Sequence, residues 1–273
     1  MAVTLKTPAE VAKMRLAGKV VAEMLAQTAA AAKPGASTGE LDRIAREVIK
    51  RGNAVSSFLG YGHPPFPATI CTSINEEIVH GIPSGKRKLR DGDLISIDAG
   101  AIVDGWHADA AMTVPVGTVS DAALRLIRTT EEALRRGIAA ATVGARIGDI
   151  GATVQAHAEA EGFAVVRNYV GHGIGRSMHE EPQVPNYGLA DRGIPIRPGL
   201  CLAIEPMLNA GQADTAVLAD QWTVVTGDGS LSAHFEHTIW CAEGGPVVLT
   251  AGGEAADRAI REALGEGRKL VQA

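Results

Sequence analysis

At 273 residues, with a formal net charge of −5 and a pI near 5.9, the chain is long enough to bury a large core and has no overall attraction for nucleic acid. Its three cysteines, Cys71, Cys201 and Cys241, are odd in number and lack Cys-x-x-Cys spacing, which excludes a complete disulfide framework and a cysteine-rich zinc site and fits a reducing compartment. No run approaches the roughly 20 apolar residues needed to cross a bilayer, and the N-terminus has no signal-peptide core, so the sequence predicts a soluble cytoplasmic protein.

In chain order, Thr7-Pro8-Ala-Glu10 reads as a helix start, with Thr7 as N-cap, Pro8 as first helical residue and Glu10 as the return arm of a capping box. That helix runs over 8–31 and stops at Lys33-Pro34-Gly35. A second begins near Thr38, with Leu41, Ile44, Ala45, Val48 and Ile49 at helical spacing and Gly52 as its stop. The stretch Gly60-Tyr-Gly-His-Pro-Pro-Phe-Pro67 is too rich in Pro and Gly for regular structure. Strands are predicted from about Thr69 to Gly117, helices over 121–140 and 147–161, strand-like segments from Ala164 to Leu249, and a last helix over 253–270. The one dense basic run, Lys86-Arg-Lys-Leu-Arg90, reads as a solvated loop rather than a nucleic-acid patch.

A carboxylate pattern occurs twice. Arg90-Asp-Gly92-Asp-Leu94-Ile-Ser-Ile97-Asp98 is echoed 107 positions later by Arg197-Pro-Gly199-Leu-Cys-Leu-Ala-Ile204-Glu205. His107-Ala-Asp109 then follows the first copy and His234-Phe-Glu236 the second. Upstream, Gly35-Ala-Ser-Thr-Gly39-Glu40-Leu41 recurs 109 positions later as Gly144-Ala-Arg-Ile-Gly148-Asp149-Ile150. Three matches in one order argue for a duplicated unit of about half the chain, each half contributing two acids. The chain is therefore read as one two-lobed domain, 1–273, with pseudo-repeat halves of about 8–117 and 118–250 and no linker between them.

Residues 94–103 and 106–114 flank Asp104-Gly105, a two-residue turn that fixes hairpin register. With Val103 facing Trp106, Asp98 lies opposite Ala111 and Asp109 opposite Gly100. The two acids then share a face as diagonal neighbours about 7–8 Å apart along the backbone. A like-charge pair about 4 Å apart costs roughly 4 kcal/mol at an effective dielectric near 20. Glu205 and Glu236 would multiply that cost, so protons or multivalent cations must occupy the site. Val170-Gly171-His172-Gly173 adds an imidazole with glycines clearing space on both sides. Four carboxylates and a histidine suit two divalent ions of oxygen preference, such as Mn, Fe or Co, with Zn also compatible.

These residues resemble the type I methionine aminopeptidases of metallopeptidase family M24. The likeness runs from Thr7 to about Thr250 and rests on Ser73-Ile-Asn-Glu-Glu-Ile-Val-His80-Gly-Ile-Pro83, the Asp98 and Asp109 pair, Gly171-His172-Gly-Ile-Gly-Arg-Ser-Met-His179-Glu, Ile204-Glu205-Pro206-Met207 and Glu236-His-Thr238. It implies an α+β pita-bread fold, creatinase/aminopeptidase-like, with two helix-plus-antiparallel-sheet halves around a dinuclear metal site. By the same resemblance Asp98 would chelate one ion, His172 and Glu205 the other, and Asp109 and Glu236 would bridge both. The reaction implied is removal of N-terminal methionine from nascent chains and peptides whose second residue is small, by a hydroxide held between the two ions. Glu205 would shuttle the proton, His179 would stabilise the oxyanion and His80 would contact the substrate amide. Tyr61, Phe66, Cys71, Met178 and Trp222 would form the methionine pocket, and Asn75 and Ser232 would lie near a monovalent cation. A monomer with at most a transient ribosome contact is expected.

The chain departs from the pattern at three places. Met178 stands where an aromatic residue is common, the segment at His63-Pro64-Pro65 is one residue longer than usual, and His234 replaces a frequent glutamine. Proline-specific peptidases of the same fold share the ligand set but usually carry a large N-terminal domain. Type II methionine aminopeptidases carry an insert that the 33- and 31-residue gaps between His172, Glu205 and Glu236 do not accommodate. A non-catalytic relative that binds ribosomes or other partners would be expected to have lost ligands, and all five persist.

Overall fold

The computed structural model describes residues 3–252, so the helix expected over 253–270 lies outside the described residues. In chain order the elements are α1 (Pro8–Ala31), α2 (Thr38–Arg51), β1 (Val55–Ser56), β2 (Ile70–Ile74), β3 (Glu77–Val79), β4 (Leu94–Val103), β5 (Trp106–Pro115), α3 (Asp121–Ala140) and α4 (Ile147–Ala160). They continue as β6 (Ala164–Val165), β7 (Gly171–Gly173), β8 (Glu180–Val184), β9 (Cys201–Ile204), β10 (Met207–Asn209), β11 (Thr215–Val217), β12 (Val224–Thr226), β13 (Ser232–His234), β14 (Glu236–Ala242) and β15 (Gly245–Val248).

Local chemistry accounts for the helix starts. Thr7 accepts from the Glu10 amide at 3.4 Å and the Glu10 carboxylate accepts from the Thr7 amide at 2.9 Å, closing the capping box before Pro8. Ser37 and Ser120 cap α2 and α3 by accepting from the Glu40 and Ala123 amides, without the reciprocal arm. α1 packs across β4 and β5, where Met14, Ala17, Val21 and Met24 are fully buried. Each such Met or Val side chain contributes on the order of 1.5–3 kcal/mol of burial free energy.

The described residues form a nine-stranded sheet with the path β1-β4-β5-β14-β9-β7-β8, to which β2 adds beside β4 and β15 beside β14. Two three-stranded sheets, β13-β10-β6 and β11-β12-β3, stand beside it. Corresponding turns of the two halves share a backbone state: φ is 91° at Gly35 and 94° at Gly144, and 94° at Gly92 and 91° at Gly199. A side chain would strain each of these turns. One apolar core draws on both helix pairs and both sides of the strand path, from Ala17 and Leu41 to Ile150 and Ile239.

The β4 and β5 ladder runs in the register read from the turn, with Val103 opposite Trp106, Asp98 opposite Ala111 and Gly100 opposite Asp109. Asp98 lies in mid-strand, because β2 and β5 pair on its two sides, whereas Glu205 follows the last residue of β9. His172 lies within a strand, because β7 is created by pairing to β8 and β9 and not by its glycine-rich composition. Among the described residues no helix is long and apolar enough to cross a membrane.

Candidate active site

Sheet register brings the acids and His172 to one face. Asp98, Ala111 and Glu236 lie in one row across β4, β5 and β14. Two residues along, Asp109 sits opposite Gly100, while Thr238, Ala203 and His172 form a continuous row across β14, β9 and β7. Because side chains alternate faces with period two, Asp98, Asp109, Glu236 and His172 point the same way, and Glu205, two beyond Ala203, joins them. Ala111, Ala203 and Gly100 between them leave space above the sheet. Thr238 locks the second row: its hydroxyl accepts from the Asp109 amide at 2.9 Å and donates to the Asp109 carbonyl at 2.8 Å.

One ligand atom each from Asp109, His172 and Glu236 lies within 4.8 Å of the other two, and all three residues are buried. His172 Nε2 is 3.6 Å from Glu205 Oε1. Burial, then the neighbouring carboxylates, pushes Asp109, Glu205 and Glu236 well above the usual carboxylate range, and burial raises Asp98 as well. Burial holds His172 down to about 3, so its imidazole is neutral and has a lone pair to offer. Oδ1 of Asp98, Oδ1 of Asp109 and Oε1 of Glu236 are buried without a hydrogen-bond partner. Buried, mutually repelling carboxylates with unused oxygens are what divalent cations relieve, and oxygen donors with one imidazole fit Mn, Fe, Co or Zn.

The remaining candidates come from loops. A cavity of about 160 Å³ is lined by Tyr61, Phe66, Cys71, His80, Met178, His179 and Trp222 together with Asp98, Asp109, His172, Glu205 and Glu236. Phe66 and Trp222 meet edge to face with centroids 5.2 Å apart, and the Trp222 indole N–H donates to the Pro64 carbonyl at 3.1 Å, so the loop at Pro64 braces that ring. His179 stands with its ring 4.3 Å from that of His172, and its Nδ1 is 2.6 Å from the Tyr61 hydroxyl. His80 follows β3 in a left-handed backbone state, φ 61°, where its ring lies edge-on to Tyr169 and Trp222. Burial brings His80 down to about 4 and lowers His179 too, so both are neutral near pH 7.

Phe58, Tyr169 and Val170 also line the cavity and were missed from the sequence. Tyr169 and Val170 directly precede the Gly171-His172 motif, which was a usable signal, whereas Phe58 carried none. His234 is fully buried with neither ring nitrogen hydrogen-bonded, and its Nε2 is 3.9 Å from Glu205 Oε2. Asn75 and Ser232 are adjacent, the Ser232 amide donating to the Asn75 carbonyl at 2.9 Å. Lys86 and Arg90 are exposed, and Arg87 instead pairs with Glu77.

The pattern of metallopeptidase family M24 matches residues 12–243. Methionine aminopeptidase of Clostridium acetobutylicum is 49% identical over 248 residues, covering 91% of this chain and 98% of its own length. The crystal structure of methionine aminopeptidase from Thermotoga maritima superposes with a TM-score of 0.89 at 41% identity, covering 91% of this chain and 99% of that one. Prolidase from Pyrococcus furiosus shares the fold, with a TM-score of 0.73 at 19% identity, and this chain covers only 66% of its length. The chain belongs to metallopeptidase family M24 and, within it, to the methionine aminopeptidases.

Proposed function

We propose that this chain removes the N-terminal methionine from peptides and nascent proteins whose second residue is small, with Asp98, Asp109, His172, Glu205 and Glu236 holding two divalent ions. The observation that carries the reading is the register of the sheet, which aims all five side chains into the apolar cavity of Phe66, Cys71, Met178 and Trp222. Bound divalent ions would supply Lewis acidity, lowering the pKa of water from about 15.7 toward 7 and polarising a carbonyl.

The chain's own groups do the rest. Glu205 takes the proton of the attacking water and passes it to the leaving amine. The Tyr61 hydroxyl lies 2.6 Å from His179 Nδ1, and in the tautomer where it donates there the proton on Nε2 is free to donate to the developing oxyanion. His80 contacts the substrate amide. The cavity accepts an unbranched thioether, and flexible, polarizable Met178 adapts to it. A bulky second residue would meet the wall carrying His80 before its carbonyl reached the site, and a misplacement of about 1 Å costs around 100-fold.

The 1–273 chain acts as one catalytic unit of two pseudo-repeats, as a cytoplasmic monomer, with a monovalent ion near Asn75 and Ser232. The test is hydrolysis of Met-Ala-Ser against Met-Leu-Ser after chelation and readdition of Mn, Co or Fe. Metal-dependent cleavage about 100-fold faster on Met-Ala-Ser is expected. Equal rates, or preference for an Ala-Pro peptide, would overturn the assignment.

A further inference from the structure

The segment from Ile174 to His179 forms no regular secondary structure, yet it presents Met178 and His179 to the cavity. A free loop of this length would sample many backbone states and leave the imidazole unplaced. It is held from two sides. On one, the start of β5 binds it: the His107 amide donates to the Gly175 carbonyl at 2.8 Å, and the Arg176 guanidinium stacks 4.3 Å from the Trp106 ring centroid.

On the other side stands the N-terminal segment. Glu180 Oε1 accepts from the amides of Arg176 at 2.8 Å and Ser177 at 3.2 Å, closing the loop. Glu180 Oε2 accepts from Lys6 Nζ at 2.6 Å and from the Thr4 hydroxyl at 2.6 Å. The Lys6 side chain is only 3% exposed, and its three protons are used on Glu180, the Thr4 carbonyl and the Thr4 hydroxyl. The Lys6 amide donates to the Gly199 carbonyl at 2.6 Å, tying the segment to the turn that leads into β9. A Cβ on Gly175 would lie 2.5 Å from Lys6 Cε and 2.6 Å from Glu180 Oε1, so the lysine stem packs directly under the loop backbone.

A lysine buried this deeply is retained only with a fully paired ammonium. We propose that Lys6, acting through Glu180, is a positioning residue for His179: the N-terminal segment sets where the imidazole stands relative to the ligand face of the sheet. The inference rests on the reading of His179 as the oxyanion donor. A purely structural pair would change stability and leave turnover alone. A positioning pair lowers kcat, because His179 acts in the transition state, and leaves KM and metal content near their starting values.

The experiment compares the wild type with Lys6→Met, Lys6→Arg, Thr4→Val and His179→Ala, all metal-loaded and assayed well below Tm on Met-Ala-Ser, with hydrogen exchange followed at Arg176 and Ser177. Lys6→Met is expected to lose about 10- to 100-fold in kcat. It should also speed exchange at both amides, while Lys6→Arg recovers most of the rate. Thr4→Val, which keeps the ion pair, should show a smaller loss in the same direction, and it carries the test should Lys6→Met fail to fold. Wild-type kcat in Lys6→Met or, in that event, in Thr4→Val overturns the proposal; if His179→Ala still loses rate, the reading of His179 survives it. Wild-type kcat in His179→Ala overturns both.

Discussion

The two halves place their acids by different means. In the first, β4 and β5 form an unbroken ladder of ten pairs around a two-residue turn, with Asp98 and Asp109 well inside it. In the second, β9 and β14 share four pairs, Glu205 follows the end of β9, Glu236 opens β14, and residues 206–235 leave the sheet between them. The short aspartates stand on the rigid ladder and the longer glutamates reach in from strand ends. That excursion also carries Trp222, Ser232 and His234. The first half thus brings Asp98, Asp109, Phe66 and His80 to the cavity, and the second brings His172, Glu205, Glu236 and Trp222.

The comparison breaks first at Asp109, placed by the ladder and locked by Thr238. Asp109→Ala should lose metal and more than about 10⁴-fold of activity, beyond what a single acid–base group contributes. Activity and metal content equal to wild type would remove Asp109 from the site. On the second half, Glu205→Gln should keep metal in part while losing about 10²- to 10⁴-fold in rate, since an amide coordinates but relays no proton. A loss under tenfold with full occupancy would take Glu205 off the proton path.

His234 sharpens the contrast further. Its backbone is pinned by Thr113, whose hydroxyl accepts from the His234 amide at 2.8 Å and donates to its carbonyl at 3.0 Å, so the ring is held against Glu205. As an outer partner of a ligand, His234→Ala should weaken metal affinity by about 10- to 100-fold, measured by titration calorimetry. Unchanged affinity would make the ring a filler only.

The smallest expected effect is on stability. In metal-free protein, burial holds Asp109, Glu205 and Glu236 well above their unfolded values of 3.8 and 4.5, so the folded state keeps protons that the unfolded chain releases. That contribution is complete below the unfolded values and is lost as pH rises through the folded ones. Buried neutral His172 and His234, held near 3, act oppositely but only below about 6.5. Chelated protein should therefore lose Tm as pH rises from about 6.5 to 8.5, each proton that the folded state keeps and the unfolded chain has released contributing about 1.4 kcal/mol per pH unit. Added Mn should flatten the slope. A metal-free Tm that rises over that interval would contradict the account.

What the sequence revealed was local or repeated. Asp104-Gly105 sets the hairpin register, Thr7 and Glu10 set the start of α1, and the echo of Asp98 in Glu205 points to the second pair of acids. What it hid depends on pairing at a distance. Nothing near residue 172 announces that β7 will join β9, and the two-residue β1 exists only because Val55 and Ser56 find Ile102 and Ala101. Phe58 reaches the cavity through loop folding, and Lys6 meets a carboxylate 174 positions away. Such contacts leave no periodic trace.

The central claim is that sheet register gathers five side chains into a centre for two divalent ions. Anomalous diffraction at the manganese edge, from crystals of the Mn-loaded protein, tests it most directly. Two peaks are expected among Asp98, Asp109, His172, Glu205 and Glu236, with Asp109 and Glu236 touching both. Peaks elsewhere, or none within ligand distance of Asp109 and Glu236 at full Mn loading, would contradict it.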